Sequence, residues 1–101
     1  MINKITVAED FTLVRLSGSL YSEEAAQIRE SLIGYIEKGH KNLIIDLGGV
    51  DYIDKYGWVT FVAVHKQAMQ SGGSVVIKGA KGIVKDSFEM IRLDKVFAIK
   101  Q

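Results

Sequence analysis

Between Gly49 and Trp58 the chain gathers its best candidates for chemistry or recognition: Asp51, Tyr52, Asp54, Lys55, Tyr56 and Gly57. Two carboxylates this close can share general acid–base work if their environments push their proton affinities apart. Capping accounts for Asp54 more simply. An aspartate just before a helix accepts a hydrogen bond from a free amide of the first turn, and Asp51 is then a solvated neighbour. The simpler reading of Lys55 is a lysine pointing into water, and its position gives it a second one. A cation at a helix start opposes the helix dipole, at a cost of about 0.3–1 kcal/mol, unless an anion or an acidic partner group lies close by. Tyr52, Tyr56 and Trp58 add aromatic surface of the kind that dominates interface energetics. The pattern places Trp58 in the core and Tyr56 in water.

Other chemistries lack their residues. There is no cysteine, which excludes disulfides, thiolate nucleophiles and zinc–cysteine sites. His40 and His65 have no partner at metal-ligand spacing; His40 reads as a helix-end residue and His65 as a partly buried one. Glycines at 48/49, 72/73, 79 and 82 belong to no phosphate-cradling motif and read as turns. No serine sits in a Gly-x-Ser-x-Gly setting. With no nucleophile–base pair to name, the expectation is a protein without catalytic residues, metal or cofactor.

Composition agrees with a binding role. The 101 residues make one domain, spanning 1–101, with 48% hydrophobic and 25% charged residues, as in an ordinary globular chain. Thirteen basic and twelve acidic side chains leave a formal charge of +1, without the concentrated basic face of a nucleic-acid binder. The amino terminus lacks a secretion pattern, and no apolar run approaches the roughly 20 residues that span a bilayer. A cytoplasmic domain with no membrane insertion is expected.

The elements that must position the 50–57 stretch follow from periodicity. Lys4–Val7 and Phe11–Leu16 alternate apolar and polar residues around Ala8-Glu9-Asp10 and predict an antiparallel hairpin. Thr12, Val14 and Leu16 share one face; Phe11, Leu13 and Arg15 share the other. Ser17–Tyr21 reads as a turn, with Ser22 as the cap of a helix whose stripe is Ala25, Ile28, Leu32 and Ile36 and whose stop is Lys38-Gly39. Asn42–Leu47 is apolar enough for a central parallel strand, and Gly48-Gly49 then lets the chain turn sharply. From Trp58 to Gln70, β-branched and aromatic residues favour a strand by propensity. Trp58, Phe61, Val62, His65 and Met69 nevertheless share a face at helical spacing, and the segment is read as a largely buried helix. Ser74–Lys78 is a strand, Ile83 to Leu93 a helix, and Val96–Ile99 a closing strand. Alternating strands and helices imply an α/β fold with a mostly parallel sheet.

The order of these elements and several strings resemble the STAS domain, specifically the small bacterial anti-sigma factor antagonists. Leu16-Ser17-Gly18-Ser19-Leu20 is similar to the family's Leu-x-Gly-Glu-Leu-Asp. Asp54-x-x-Gly57, after Leu43–Leu47, Val50 and Ile53, is similar to Asp-Ser-x-Gly. Gly72-Gly73 before a strand, and Val84, Phe88, Met90, Leu93, Val96 and Phe97 near the end, also match. The resemblance covers essentially the whole chain. It implies a mixed, mostly parallel sheet of about five strands, with an N-terminal hairpin and helices mainly on one face. It also implies docking to an anti-sigma factor or related serine-kinase-like protein, ended when the serine after the aspartate is phosphorylated. Here that position is Lys55, followed by Tyr56, and the family's Glu and Asp after the earlier glycine are Ser19 and Tyr21. The docking architecture is therefore expected without this switch, using Ser19, Tyr21, Tyr52, Asp54, Lys55, Tyr56 and Gly57, in a monomer or weak homodimer. The alternatives are a STAS-type accessory subunit of a transport system, or an anion- or nucleotide-sensing domain built on Lys55 and the helix amino terminus.

Overall fold

A computed structural model describes residues 2–93 and 98–100. The chain alternates strands and helices in the order β1 (Ile2–Val7), β2 (Thr12–Leu20), α1 (Ser22–Glu37), β3 (Asn42–Ile53), α2 (Lys55–Gln70), β4 (Ser74–Lys78), α3 (Gly82–Met90) and β5 (Ala98–Lys100). The sheet order is β1-β2-β3-β4-β5. The β1–β2 pair is antiparallel and the other three pairs are parallel. The hairpin, the central β3 and the alternation are as the sequence implies. Val96 and Phe97, the first half of the expected closing strand, lie outside the described residues.

One face of the sheet carries the core. Thr12, Val14 and Leu16, Leu43, Ile45 and Leu47, and Val75 and Ile77 are all buried. Their period of two puts them on a single face, where they meet Ala25, Ile28, Leu32 and Ile36 of α1, Trp58, Phe61, Val64 and Ala68 of α2, and Val84 and Phe88 of α3. Residues of the other parity, Leu13, Ile44 and Val76, are only half-buried, and Arg15 and Lys78 are exposed. The α2 segment is thus a helix despite its strand propensity, because its apolar residues fit a helical stripe under the sheet. Met69 departs from that stripe and is 57% exposed; it lies in the last turn, about 100° round from buried Ala68.

Two segments read as turns are strand. β2 continues through Ser17, Gly18, Ser19 and Leu20, and β3 continues through Gly48 and Gly49 to Ile53. The ladder shows how. Arg15 pairs with Asp46, Ser17 with Gly49, Gly18 with Val50 and Ser19 with Tyr52, so β3 inserts an extra residue twice. Such bulges keep the pairing while increasing the local twist. Gly49 eases the close approach there: a Cβ would lie 3.1 Å from the Leu16 carbonyl oxygen across the ladder, a tight contact. Ser22 is also corrected, because it is the first helical residue and Tyr21 is the N-cap.

Candidate functional site

β2 and β3 run parallel and end together, with Leu20 opposite Ile53. The next residue of each strand, Tyr21 and Asp54, is the N-cap of α1 and α2 respectively. The two caps are tied by the Asp54 N–H, which donates to the Leu20 carbonyl oxygen at 3.2 Å. Two helix amino ends therefore open side by side on one end of the sheet, each with amides that the helix itself leaves unpaired.

The caps differ in charge. At α1, Glu23 and Glu24 occupy the first turn, and Glu24 Oε1 accepts from the Tyr21 N–H at 3.2 Å. At α2, Asp54 Oδ1 accepts from the Gly57 N–H at 2.9 Å, which identifies Asp54 as a cap. The first turn of α2 holds no acid, and Lys55 stands there instead, its Nζ 5.7 Å from the centre of the Tyr56 ring. Positive charge on the positive end of a helix is unfavourable by itself; the ring face offsets part of that cost.

Around the caps lies aromatic surface. Tyr21 and Tyr52 stack at a tilt, ring centres 5.7 Å apart, and Ser19 is in register with Tyr52. Tyr21, Tyr52 and Tyr56 are all exposed, as is Val59, one turn beyond Tyr56. Gly57 is buried beneath, and a Cβ there would lie 2.5 Å from Ile53 Cγ2. Six of the seven residues singled out from the sequence thus frame this end of the sheet, and Gly57 lets α2 start tight against it. Asp51, the other carboxylate, is exposed on β3.

Trp58 is core, as expected, and also a clamp. It is 2% exposed, its Nε1 donates to Ser87 Oγ at 2.9 Å, and its ring meets Phe61 and Phe88 edge-on at 5.8 and 5.3 Å. Aromatic pairs of this geometry contribute about 0.5–1.5 kcal/mol beyond the area they bury, and they fix the start of α2 against α3. Between these helices an open groove of about 330 Å³ is lined by Lys55, Trp58, Val59, Val62, Ile91 and Leu93. Sequence reasoning missed Val59 and Ile91. Val59, four residues after Lys55, was within reach of helical spacing; Ile91 joins it only through the packing of α3.

No group of three or more His, Asp or Glu among the described residues is placed to hold a metal ion. No helix among them is long and apolar enough to cross a membrane.

The STAS domain family model matches residues 4–101. The chain belongs to the STAS domain family. BtrV of Bordetella bronchiseptica, described as an anti-sigma factor antagonist, is 31% identical over 84 residues, covering 83% of this chain and 72% of BtrV. Among solved structures, an anti-sigma factor antagonist from Thermotoga maritima superposes with a TM-score of 0.91 at 19% identity, covering 97% of this chain and 85% of that one. The unphosphorylated form of the anti-sigma factor antagonist SpoIIAA superposes with a TM-score of 0.78 at 15% identity, over 97% of this chain and 86% of that one. These structural likenesses confirm the STAS fold, with its hairpin, mostly parallel sheet and one-sided helices.

Proposed function

We propose that this STAS domain is a regulatory, protein-binding module that works without catalysis and docks to an anti-sigma factor. The docking surface is the end of the sheet where α1 and α2 begin, formed by Ser19, Tyr21, Tyr52, Lys55 and Tyr56, with Asp54 and Gly57 holding its backbone. One observation carries this reading: three exposed tyrosines and a lysine meet at the two adjoining helix starts. Rigid aromatics with a single charge supply contact area and orientation to a protein partner. The description of BtrV as an anti-sigma factor antagonist supports the choice of partner.

In this reading the surface is not switched by serine phosphorylation, since Lys55 has no hydroxyl and its charge is opposite to that of a phosphoserine. Incubation with a partner serine kinase and ATP leaves residue 55 unlabelled; stoichiometric phosphate on Tyr56 or another residue of this surface would overturn the unswitched reading. Affinity capture from the native cytoplasm tests the site. Wild type retains an anti-sigma factor that Lys55→Glu loses. Equal retention by both proteins removes this end of the sheet from the interface.

A further inference from the structure

The sheet has a second face that no described helix covers, although β2 to β5 are parallel. Parallel sheets are found almost only with helices on both faces. Here the uncovered face is organised in rows. Leu13, Ile44 and Val76 lie in register as an apolar row. Two residues further along each strand, Lys4, Arg15, Asp46 and Lys78 lie in register as a charged row. Asp46 is already engaged: Oδ2 is 3.7 Å from Arg15 Nε, and Oδ1 accepts from the Gly48 N–H at 2.9 Å. Lys4 and Lys78 are exposed, and the row as a whole is positive.

The molecule carries the complement of this face on α1. Glu23, Glu30 and Glu37 recur every seven residues on its exposed side, with Ala26 and Ile33 on a parallel track about 60° round the helix. Arg29 within the helix and Lys38 at its C-cap are the cations beside them, and Ala26, Arg29, Glu30, Ile33 and Glu37 line an open groove of about 400 Å³. The spacings agree. Seven helical residues rise about 10.5 Å, and two strand intervals cross about 9.6 Å of sheet. Glu30 and Glu37 can therefore meet Arg15 and Lys78, while Ile33, about 4.5 Å further along the axis than Glu30, sits over Ile44 of the strand between them.

We infer that α1 of one copy docks on the open sheet face of a second copy, completing a helix layer on both sides of that sheet. The contact is head-to-tail, so it does not close into a two-fold dimer and extends as a stack. The docking surface at the helix starts lies at the end of the layers and stays free. A stack then presents it in several copies, and a multivalent partner gains avidity without any new contact.

Sedimentation velocity on the full chain, from micromolar to millimolar concentration, tests this at low and high salt. Wild type grows in mass beyond a dimer as concentration rises, and high salt reverses the growth. Lys4→Glu with Lys78→Glu, and separately Glu30→Lys with Glu37→Lys, each weaken association about tenfold or more by opposing like charges. An equimolar mixture of the two double variants reassembles, because each then supplies the charge the other needs. Should either lose its wild-type circular dichroism, Lys78→Glu and Glu30→Lys repeat the test with one substitution per chain. Wild type that stays monomeric at low salt, a dimer indifferent to both charge reversals, or a mixture that stays monomeric overturns the proposal.

Discussion

At Gly57 two physical effects pull in opposite directions, and the structure decides between them. Gly57 is the third residue of α2, where alanine is intrinsically better than glycine by about 0.5–1 kcal/mol. The added Cβ would lie 2.5 Å from Ile53 Cγ2 and 3.4 Å from the Leu20 carbonyl oxygen. Ile53 is 2% exposed, and its branch methyl moves only if χ1 leaves its well, so the strand or the helix start must shift instead. Overpacking of this kind costs about 1–3 kcal/mol. The net expectation for Gly57→Ala is a loss of about 1 kcal/mol, or roughly 4–8 °C in Tm for a domain of this size. Urea denaturation followed by circular dichroism measures it. Ile53→Ala by itself costs about 2–5 kcal/mol through the cavity it leaves. In that background the clash is gone, and Gly57→Ala becomes neutral or stabilising by up to about 1 kcal/mol. Stabilisation by Gly57→Ala in the wild-type background, or the same effect in both backgrounds, would refute the claim that tight seating of α2 on β3 requires this glycine.

Further outcomes follow from the same geometry. Asp54→Ala removes the acceptor for the Gly57 N–H and costs about 0.5–2 kcal/mol of stability in the same denaturation assay, whereas Asp54→Asn costs less. Lys55→Glu leaves stability within about 0.5 kcal/mol of wild type, since Lys55 is a surface residue, but weakens binding to an anti-sigma factor about tenfold or more in titration calorimetry. Trp58→Phe loses the donor to Ser87 Oγ and costs about 0.5–1.5 kcal/mol for the bond, with a further loss from reduced packing against Phe61 and Phe88. Gly73→Ala drives a Cβ into the Lys41 backbone carbonyl, and the expected result in a thermal melt is a large loss of stability or failure to fold.

Much of this molecule was legible before any coordinates. Periodicity alone located the hairpin, α1 and its buried stripe, β4 and the helical state of α2, because burying an apolar face requires the side chains to repeat at the period of the element. The cap at Asp54 and the burial of Trp58 followed from local chemistry of the same kind. What sequence reasoning misjudged was continuity. Ser17–Leu20 and Gly48–Ile53 look like turns because they are rich in glycine and serine, yet they pair with each other as strand. Glycine there serves the close approach of two backbones at a bulge, and a single sequence does not reveal which segment approaches which.

The sequence by itself determined the α/β alternation and the family, both of which depend on residue type and local spacing. The tertiary structure alone decided that Tyr21 and Asp54 cap adjoining helices, that Tyr21 stacks on Tyr52, and that Ile91 shares a groove with Lys55. It also decided that Lys4, Arg15 and Lys78 lie in one row. These residues are far apart along the chain. Their neighbours are set by strand register and helix docking, which are properties of the whole core.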